Sequence, residues 1–224
     1  MKNVFEDIYQ MFIPENIPWN KAYPHFRLID FLDEYQIEPC HVIDLGCGLG
    51  TDSIFLAKRG FSVTGVDISQ TAVAKAHRRA SEVGVPVDFW VSSALRLPFP
   101  DSSFELALDW RTSHCLTPQE WKQYALEISR ILTKDGGLLL AAYYLSGFEE
   151  HDQKVKQRPL EKYPLNESLV HKLFDEHFTL DYFQVFELDE KTHCWAGLYF
   201  LNKKSGRRIR IDPQDHFKNE FGTR

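Results

Sequence analysis

Residues 41–50, HVIDLGCGLG, constrain the chain more than any other stretch: an apolar strand runs straight into glycines 46, 48 and 50, and a helical pattern resumes at Asp52. A strand that ends in a glycine turn and feeds a helix with Ile54, Phe55 and Leu56 as its buried stripe is the first half of a β-α-β unit. The second half follows at once. A strand over 61–66 stops at Asp67, and Ser69 is placed to cap an alanine-rich helix reaching about residue 83.

The alternation continues with a strand over 87–91, a strand over 104–108 ending at Asp109, and a helix from Pro118 to about residue 132. Asp135-Gly136-Gly137 reads as a turn into a buried strand over 138–144. Strands and helices in this order predict an α/β fold, a doubly wound, mostly parallel, Rossmann-like sheet covered on both faces. After a helix over 166–177, strands over 179–187 and 194–202 are joined by the short polar turn Asp189-Glu190-Lys191, which predicts an antiparallel C-terminal strand.

Three segments lie outside this pattern. Residues 1–37 contain two proline-marked turns, at Pro14 and Pro18, and a helical pattern over 24–35, and are expected to cover the cofactor and substrate. The main domain is expected over 38–203, interrupted at 146–164 by a charged, proline-bearing stretch that is a candidate lid. The polar tail, 204–224, has no sustained period and is expected to be loosely ordered.

Charge and cysteine usage narrow the ligand. With 26 basic and 32 acidic residues the net charge is -6, which argues against the broad basic face that a nucleic-acid backbone requires. No apolar run is long enough to span a bilayer, and the first residues, MKNVFEDIYQMF, lack the basic-then-apolar pattern of a signal peptide, so a cytoplasmic location without membrane association is expected. Cys40, Cys47, Cys115 and Cys194 form no C-x-x-C pair and read as reduced thiols. His114-Cys115 and His193-Cys194 repeat a dipeptide, but neighbours on a strand face opposite ways and rarely share a metal; no metal is expected.

A glycine turn before a helix suits phosphates or adenosine-type cofactors. Gly46-Cys47-Gly48-Leu49-Gly50-Thr51 lacks the lysine of a phosphate-binding P-loop, and Thr51 stands where a dinucleotide fingerprint needs its third, packing glycine. Asp44 would repel a pyrophosphate and favour a cation, whether ammonium or sulfonium. Asp67, at the end of the next strand, is placed to accept hydrogen bonds from ribose hydroxyls, with Ile68 beside it to pack on the adenine. A glycine turn that is only a tight corner, and an Asp that is only a helix cap, are the alternatives for each piece taken alone.

DLGCGLG, Asp67 and the run Ser92-Ser93-Ala94-Leu95-Arg96-Leu97-Pro98-Phe99 together resemble class I S-adenosylmethionine-dependent methyltransferases over residues 38–202. The resemblance implies S-adenosylmethionine as cofactor, held by Asp44, Gly46, Cys47, Gly48, Gly50, Asp67, Ile68, Ser93, Ala94 and Asp109. Ser93 replaces the family's usual Asp opposite the adenine amino group, which implies a weaker polar anchor there. Arg130 to Gly137 is similar to the family's Arg-x-Leu-Lys-Pro-Gly-Gly turn, a structural landmark.

Methyl transfer from a sulfonium asks the protein mainly to align and desolvate the nucleophile. Ligands of open α/β sheets lie beyond the carboxyl ends of the strands, which nominates the run from Asp109 through Thr112 to His114 after the fourth strand and Tyr143 and Tyr144 after the fifth, with Asp109, Arg111 and His114 as catalytic candidates. Arg111 would attract an anionic acceptor or lower a thiol's pKa, with Asp109 as a possible carboxylate neighbour; His114 is either a general base or a packing histidine. The segment after this strand lacks the paired prolines of amino-methylating nucleic-acid enzymes. Asn16-Ile17-Pro18-Trp19-Asn20 resembles the Pro-Trp-Asp segment of methyltransferases acting on thiols, thiopurines, halides and tellurite, which places Trp19 either over the methionine part of the cofactor or as a pin for the N-terminal segment. The expected activity is methylation of a small-molecule acceptor, with a thiol or other soft nucleophile preferred. The alternatives are a cofactor-binding regulatory or partner protein without methyl transfer, and a methyltransferase acting on a protein or lipid. The sequence leaves the oligomeric state open.

Overall fold

In the computed structural model, which describes residues 4–144, 163–189 and 194–204, the strands follow the order in which the sequence alternates. They are β1 (His41–Leu45), β2 (Ser62–Asp67), β3 (Asp88–Val91), β4 (Phe104–Trp110), β5 (Leu132–Tyr143), β6 (Phe178–Asp189) and β7 (Cys194–Lys203). They form one sheet in the order β3-β2-β1-β4-β5-β7-β6. Every neighbouring pair from β3 to β5 is parallel, whereas β7 runs antiparallel to both β5 and β6. The chain leaves β1 toward β2 on one side and returns as β4 on the other, so the crevice between β1 and β4 is the topological switch point.

The helices are α1 (Val4–Met11), α2 (Phe26–Glu34), α3 (Thr51–Lys58), α4 (Gln70–Val83), α5 (Pro118–Ile131) and α6 (Glu167–Phe174). Alternation along β1 divides the core: Ile43 and Leu45 pack with Trp121, Tyr124 and Ile128 of α5 and with α6, while Val42 packs with Leu28, Phe31 and Leu32 of α2 and Leu56 of α3. Between α3 and α4, Ile54, Val73, Ala76 and Ala80 close on Phe89. Helix starts are set by side-chain caps at Ser69, which accepts from Ala72 N at 3.0 Å, and at Asn166, which accepts from Leu169 N at 2.9 Å.

Two elements differ from the sequence expectation. Asp135-Gly136-Gly137 makes no turn; β5 runs through it, with a register irregularity in which Phe104 pairs with Leu132 and Leu106 with Gly137. Neither glycine has positive φ, and their value is close approach, since a Cβ at Gly137 would lie 2.6 Å from the Phe200 ring. The second difference is α1, which local pattern should have revealed: Val4, Phe5, Ile8, Tyr9 and Phe12 recur at helical spacing. The candidate lid lies outside the described residues apart from Tyr163 and Pro164, as does the tail apart from Lys204. No described helix is long and apolar enough to cross a membrane.

Candidate active site

The carboxyl ends of β1, β2 and β4 deliver Asp44, Asp67 and Asp109 to one rim of the sheet, all buried. The loop after β1 fits between them because three glycines adopt left-handed φ values: +68° at Gly46, +54° at Gly48 and +75° at Gly50. Each is also the only residue that its neighbours admit. A Cβ at Gly46 would overlap Thr112 Oγ1, which donates to Leu45 O at 2.7 Å. A Cβ at Gly48 would lie 2.7 Å from the Tyr9 hydroxyl, and one at Gly50 would lie 2.8 Å from Phe89 Cζ and 3.1 Å from Ala76 Cβ. Gly50 therefore provides the close helix–strand packing that the sequence reading looked for at position 51.

The three carboxylates have different surroundings. Asp44 accepts from Ser53 Oγ at 2.5 Å, and burial, reinforced by nearby Asp52, pushes its pKa up to about 8. Asp67 accepts from Gly48 N at 2.9 Å and from Ser69 N at 2.8 Å, which ties the glycine loop to the start of α4; burial still raises its pKa. The Ile68 N–H acts on it as well, so at most one lone pair is left for a further donor. Asp109 is fully engaged with the protein. It accepts from Tyr124 Oη at 2.6 Å, Thr112 N at 2.7 Å and Ser113 N at 3.0 Å, and so organises the loop after β4.

In that loop His114 is buried. Its ring lies 4.4 Å from that of Tyr143, whose backbone N–H points at Nδ1 from 3.4 Å, and its carbonyl accepts from Tyr163 N at 2.8 Å. Arg111 has left-handed φ, +74°, with its N–H on Ala141 O at 2.7 Å and its Nη2 on Trp19 O at 3.1 Å. Asp109, suggested by the sequence as its neighbour, is not its partner.

The adenine-side candidates also meet at this rim. Ile68 is 51% exposed immediately after Asp67, leaving its side chain available to a flat ligand. Ser93 and Ala94 follow β3 in a loop that Arg130 staples to α5, donating to Phe99 O at 2.8 Å and Leu97 O at 3.1 Å while paired with Glu127 and Asp101. The Ser93 hydroxyl accepts from Leu95 N at 3.2 Å. Cys47 is buried against α4 and β3, and burial raises its thiol pKa well above the ordinary value.

The N-terminal segment closes over the glycines. Trp19 Nε1 donates to Tyr9 Oη at 2.9 Å, and Tyr9, Ile17, Leu49 and Ala72 form a small apolar cluster with Trp19 packed against it. Glu6 fastens α1 to α4, accepting from Ser69 Oγ at 2.6 Å, Thr71 N at 3.1 Å and Thr71 Oγ1 at 2.5 Å. Sequence reasoning missed Tyr9 and Glu6, for which the helical spacing of α1 was the one local signal, whereas Thr112 lies in the nominated run after β4.

A family model described as methyltransferase domain matches residues 42–136. The Synechocystis 2-methyl-6-phytyl-1,4-hydroquinone methyltransferase is 38% identical over 105 residues, covering 45% of this chain and 31% of that protein. A structure of an S-adenosylmethionine-dependent methyltransferase from Methanosarcina mazei is 25% identical, with a TM-score of 0.68 over 77% of this chain and 96% of that one. The Burkholderia thailandensis 1,6-didemethyltoxoflavin-N1-methyltransferase, solved with its substrate and S-adenosylhomocysteine, shares the fold at 21% identity, with a TM-score of 0.72 over 89% and 87% of the two chains. The chain spans 31–47% of the length of four curated relatives that it matches.

Proposed function

We propose that the chain, whose residues 42–136 match a methyltransferase domain model, is a class I S-adenosylmethionine-dependent methyltransferase that binds its cofactor across the crevice between β1 and β4 and methylates a small-molecule acceptor in the cytoplasm. The observation that carries this reading is the glycine loop itself, three left-handed residues without side chains lying between the buried carboxyls of Asp44 and Asp67. The glycines let Thr112, Tyr9 and Phe89 close on the turn and hold its backbone between the two acids, where Asp67 offers an acceptor for a ribose hydroxyl and Asp44 a carboxyl for a cation. A pyrophosphate would meet the same two acids as repulsion.

The bound cofactor supplies an activated methyl group. The chain's own residues do the rest. Asp67 accepts from the ribose, Ile68 and Ala94 flank the adenine, Ser93 offers it a hydroxyl, and Asp44 faces the amino-acid end. Tyr9 and Trp19, above Gly48, exclude water from the sulfur. Asp109 holds the loop after β4 in place and His114 packs beneath it, so the site is suited to an acceptor that needs no strong base. A thiol, ordinarily near pKa 8.5, meets that condition better than an alcohol. The acidic net charge supports a small acceptor over nucleic acid.

The buried, engaged state of Asp109 and His114 also favours a second reading, a cofactor-binding partner protein without turnover. Calorimetric titration with S-adenosylmethionine separates these ideas from failure of the site: the wild type binds, while Asp67→Ala and Gly48→Val lose affinity. Equal affinity in all three would remove the site from the crevice. Release of S-adenosylhomocysteine with any member of a thiol, phenol, amine and carboxylate panel establishes methylation; binding with no release across the panel favours the partner-protein reading.

A further inference from the structure

Arg111 combines three features that a merely structural arginine does not need. Its backbone sits at φ +74°, in the left-handed region where a side chain is strained and glycine is the natural occupant. That conformation is fastened rather than relaxed, by the bonds to Ala141 O and Trp19 O. Its guanidinium nevertheless forms no ion pair with any described residue, and Nε is buried without a hydrogen-bond partner. An orphaned guanidinium N–H is costly unless something completes it.

The surroundings indicate what would. Arg111 follows β4 at the switch-point crevice, and the hydrogen bonds from Arg111 to Trp19 and from Trp19 to Tyr9 lead to the hydroxyl above Gly48. Asp52 and His25 also feel its charge, but neither is an ion-pair partner of the guanidinium: burial raises the Asp52 carboxyl and Arg111 opposes that rise, and His25 is held down at about 4, chiefly by burial and secondarily by Arg111 itself. Asp109, the remaining acid of this loop, is spent on Tyr124, Thr112 and Ser113. A strained, backbone-clamped cation with a spare planar donor is built to meet an oxyanion arriving from outside the protein.

We propose that Arg111 is the docking residue for a carboxylate or similar oxyanion in the crevice, either on the amino-acid end of the cofactor or on the acceptor. The inference rests on the cofactor reading above, and calorimetry distinguishes the two. S-Adenosylhomocysteine carries the carboxylate and 5′-methylthioadenosine lacks the whole amino-acid end. If the cofactor supplies the anion, Arg111→Gln weakens S-adenosylhomocysteine about 10- to 100-fold and leaves 5′-methylthioadenosine unchanged. If the acceptor supplies it, both nucleosides bind Arg111→Gln as they bind the wild type. Benzoate titrated into S-adenosylhomocysteine-saturated wild type then shows saturable NMR shifts that Arg111→Gln abolishes and Arg111→Lys partly restores. Arg111→Gly, which removes the backbone strain, serves as the second variant and is expected to melt within a few degrees of wild type while losing the same ligand. Equal loss of both nucleosides, or no change in either together with no Arg111-dependent benzoate binding, overturns the proposal while leaving the cofactor reading intact. Failure of the wild type to bind either nucleoside overturns both.

Discussion

Gly50 and Gly84 offer a controlled comparison, because both have left-handed φ, +75° and +71°, and they differ in what surrounds them. Alanine at Gly84, the residue that ends α4, meets nothing within 4 Å and incurs only the conformational strain, roughly 1–2 kcal/mol. Alanine at Gly50 incurs the same strain and also places a methyl 2.8 Å from Phe89 Cζ and 3.1 Å from Ala76 Cβ, inside an apolar cluster. Overpacking of this kind costs about 1–3 kcal/mol more. The reduced entropy of the unfolded chain is common to both variants and cancels. Urea unfolding at neutral pH should therefore place Gly50→Ala about 1–3 kcal/mol below Gly84→Ala, with a melting temperature lower by roughly 2–4 °C per kcal/mol. Phe89→Leu removes the atom that is struck, so in a double-mutant cycle the two costs should fall short of additive by about 1 kcal/mol or more. Equal stability of the two alanine variants, or strict additivity with Phe89→Leu, would refute the reasoning that Gly50 is selected for packing.

Three further outcomes follow from the site. Hydrogen bonds from Ser69 and then Thr71 hold the Glu6 carboxylate down at about 2; the docking of α1 it provides is complete above the ordinary value near 4.5 and is lost as pH falls toward 2. Amide exchange across residues 4–11 should thus be faster in Glu6→Ala than in wild type at pH 7 and alike in both at the acid limit. Asp44, raised to about 8, contributes stability at low pH that declines as pH rises through its folded value, and a bound cation drives its proton off. S-adenosylmethionine affinity should rise between pH 6 and 9, with proton release visible in buffers of different ionisation enthalpy; Asp44→Asn should remove both effects. Tyr124→Phe strips the 2.6 Å bond from buried Asp109 and should destabilise the protein by about 1–3 kcal/mol in urea. A loss under about 0.5 kcal/mol would count against Asp109 as the organiser of its loop.

The fold was legible wherever local pattern and tertiary role coincide. The extent of β1 follows from a five-residue run ending at a glycine, and the Ser69 cap from its position before alanines. Glycines were legible as special but not in kind. Gly136 and Gly137 carry the composition of a turn yet sit in β5, because the demand on them comes from β4 and from Phe200 on β7, more than sixty residues away. The site divided the same way. Asp44, Gly46, Gly48, Gly50, Asp67 and Ile68 are local to β1 and β2, so local pattern alone nominates them together as candidates. Tyr9 reaches Gly48 across the tertiary fold, and the roles of Asp109 and His114 depend on Tyr124 and Tyr143, neither of which is adjacent to them in sequence. Spacing nominates a residue for the rim, but only packing decides whether its functional atoms face the crevice or the core.

Asp44 shows how burial alters a charge argument without reversing it. A carboxylate at the end of β1 attracts a cation only when ionised, yet with pKa near 8 it holds its proton for most of the time at pH 7. Ionising it there costs about 1.4 kcal/mol, the free energy of one pH unit. A unit positive charge about 4 Å away returns roughly 4 kcal/mol at the effective dielectric appropriate to a protein site. The cation therefore wins, by a margin of about two orders of magnitude in occupancy of the charged form. A neutral or anionic ligand meets a protonated carboxyl and gains no such return. The same burial that keeps Asp44 largely protonated thus makes it selective, since its charge develops only for a ligand able to compensate it.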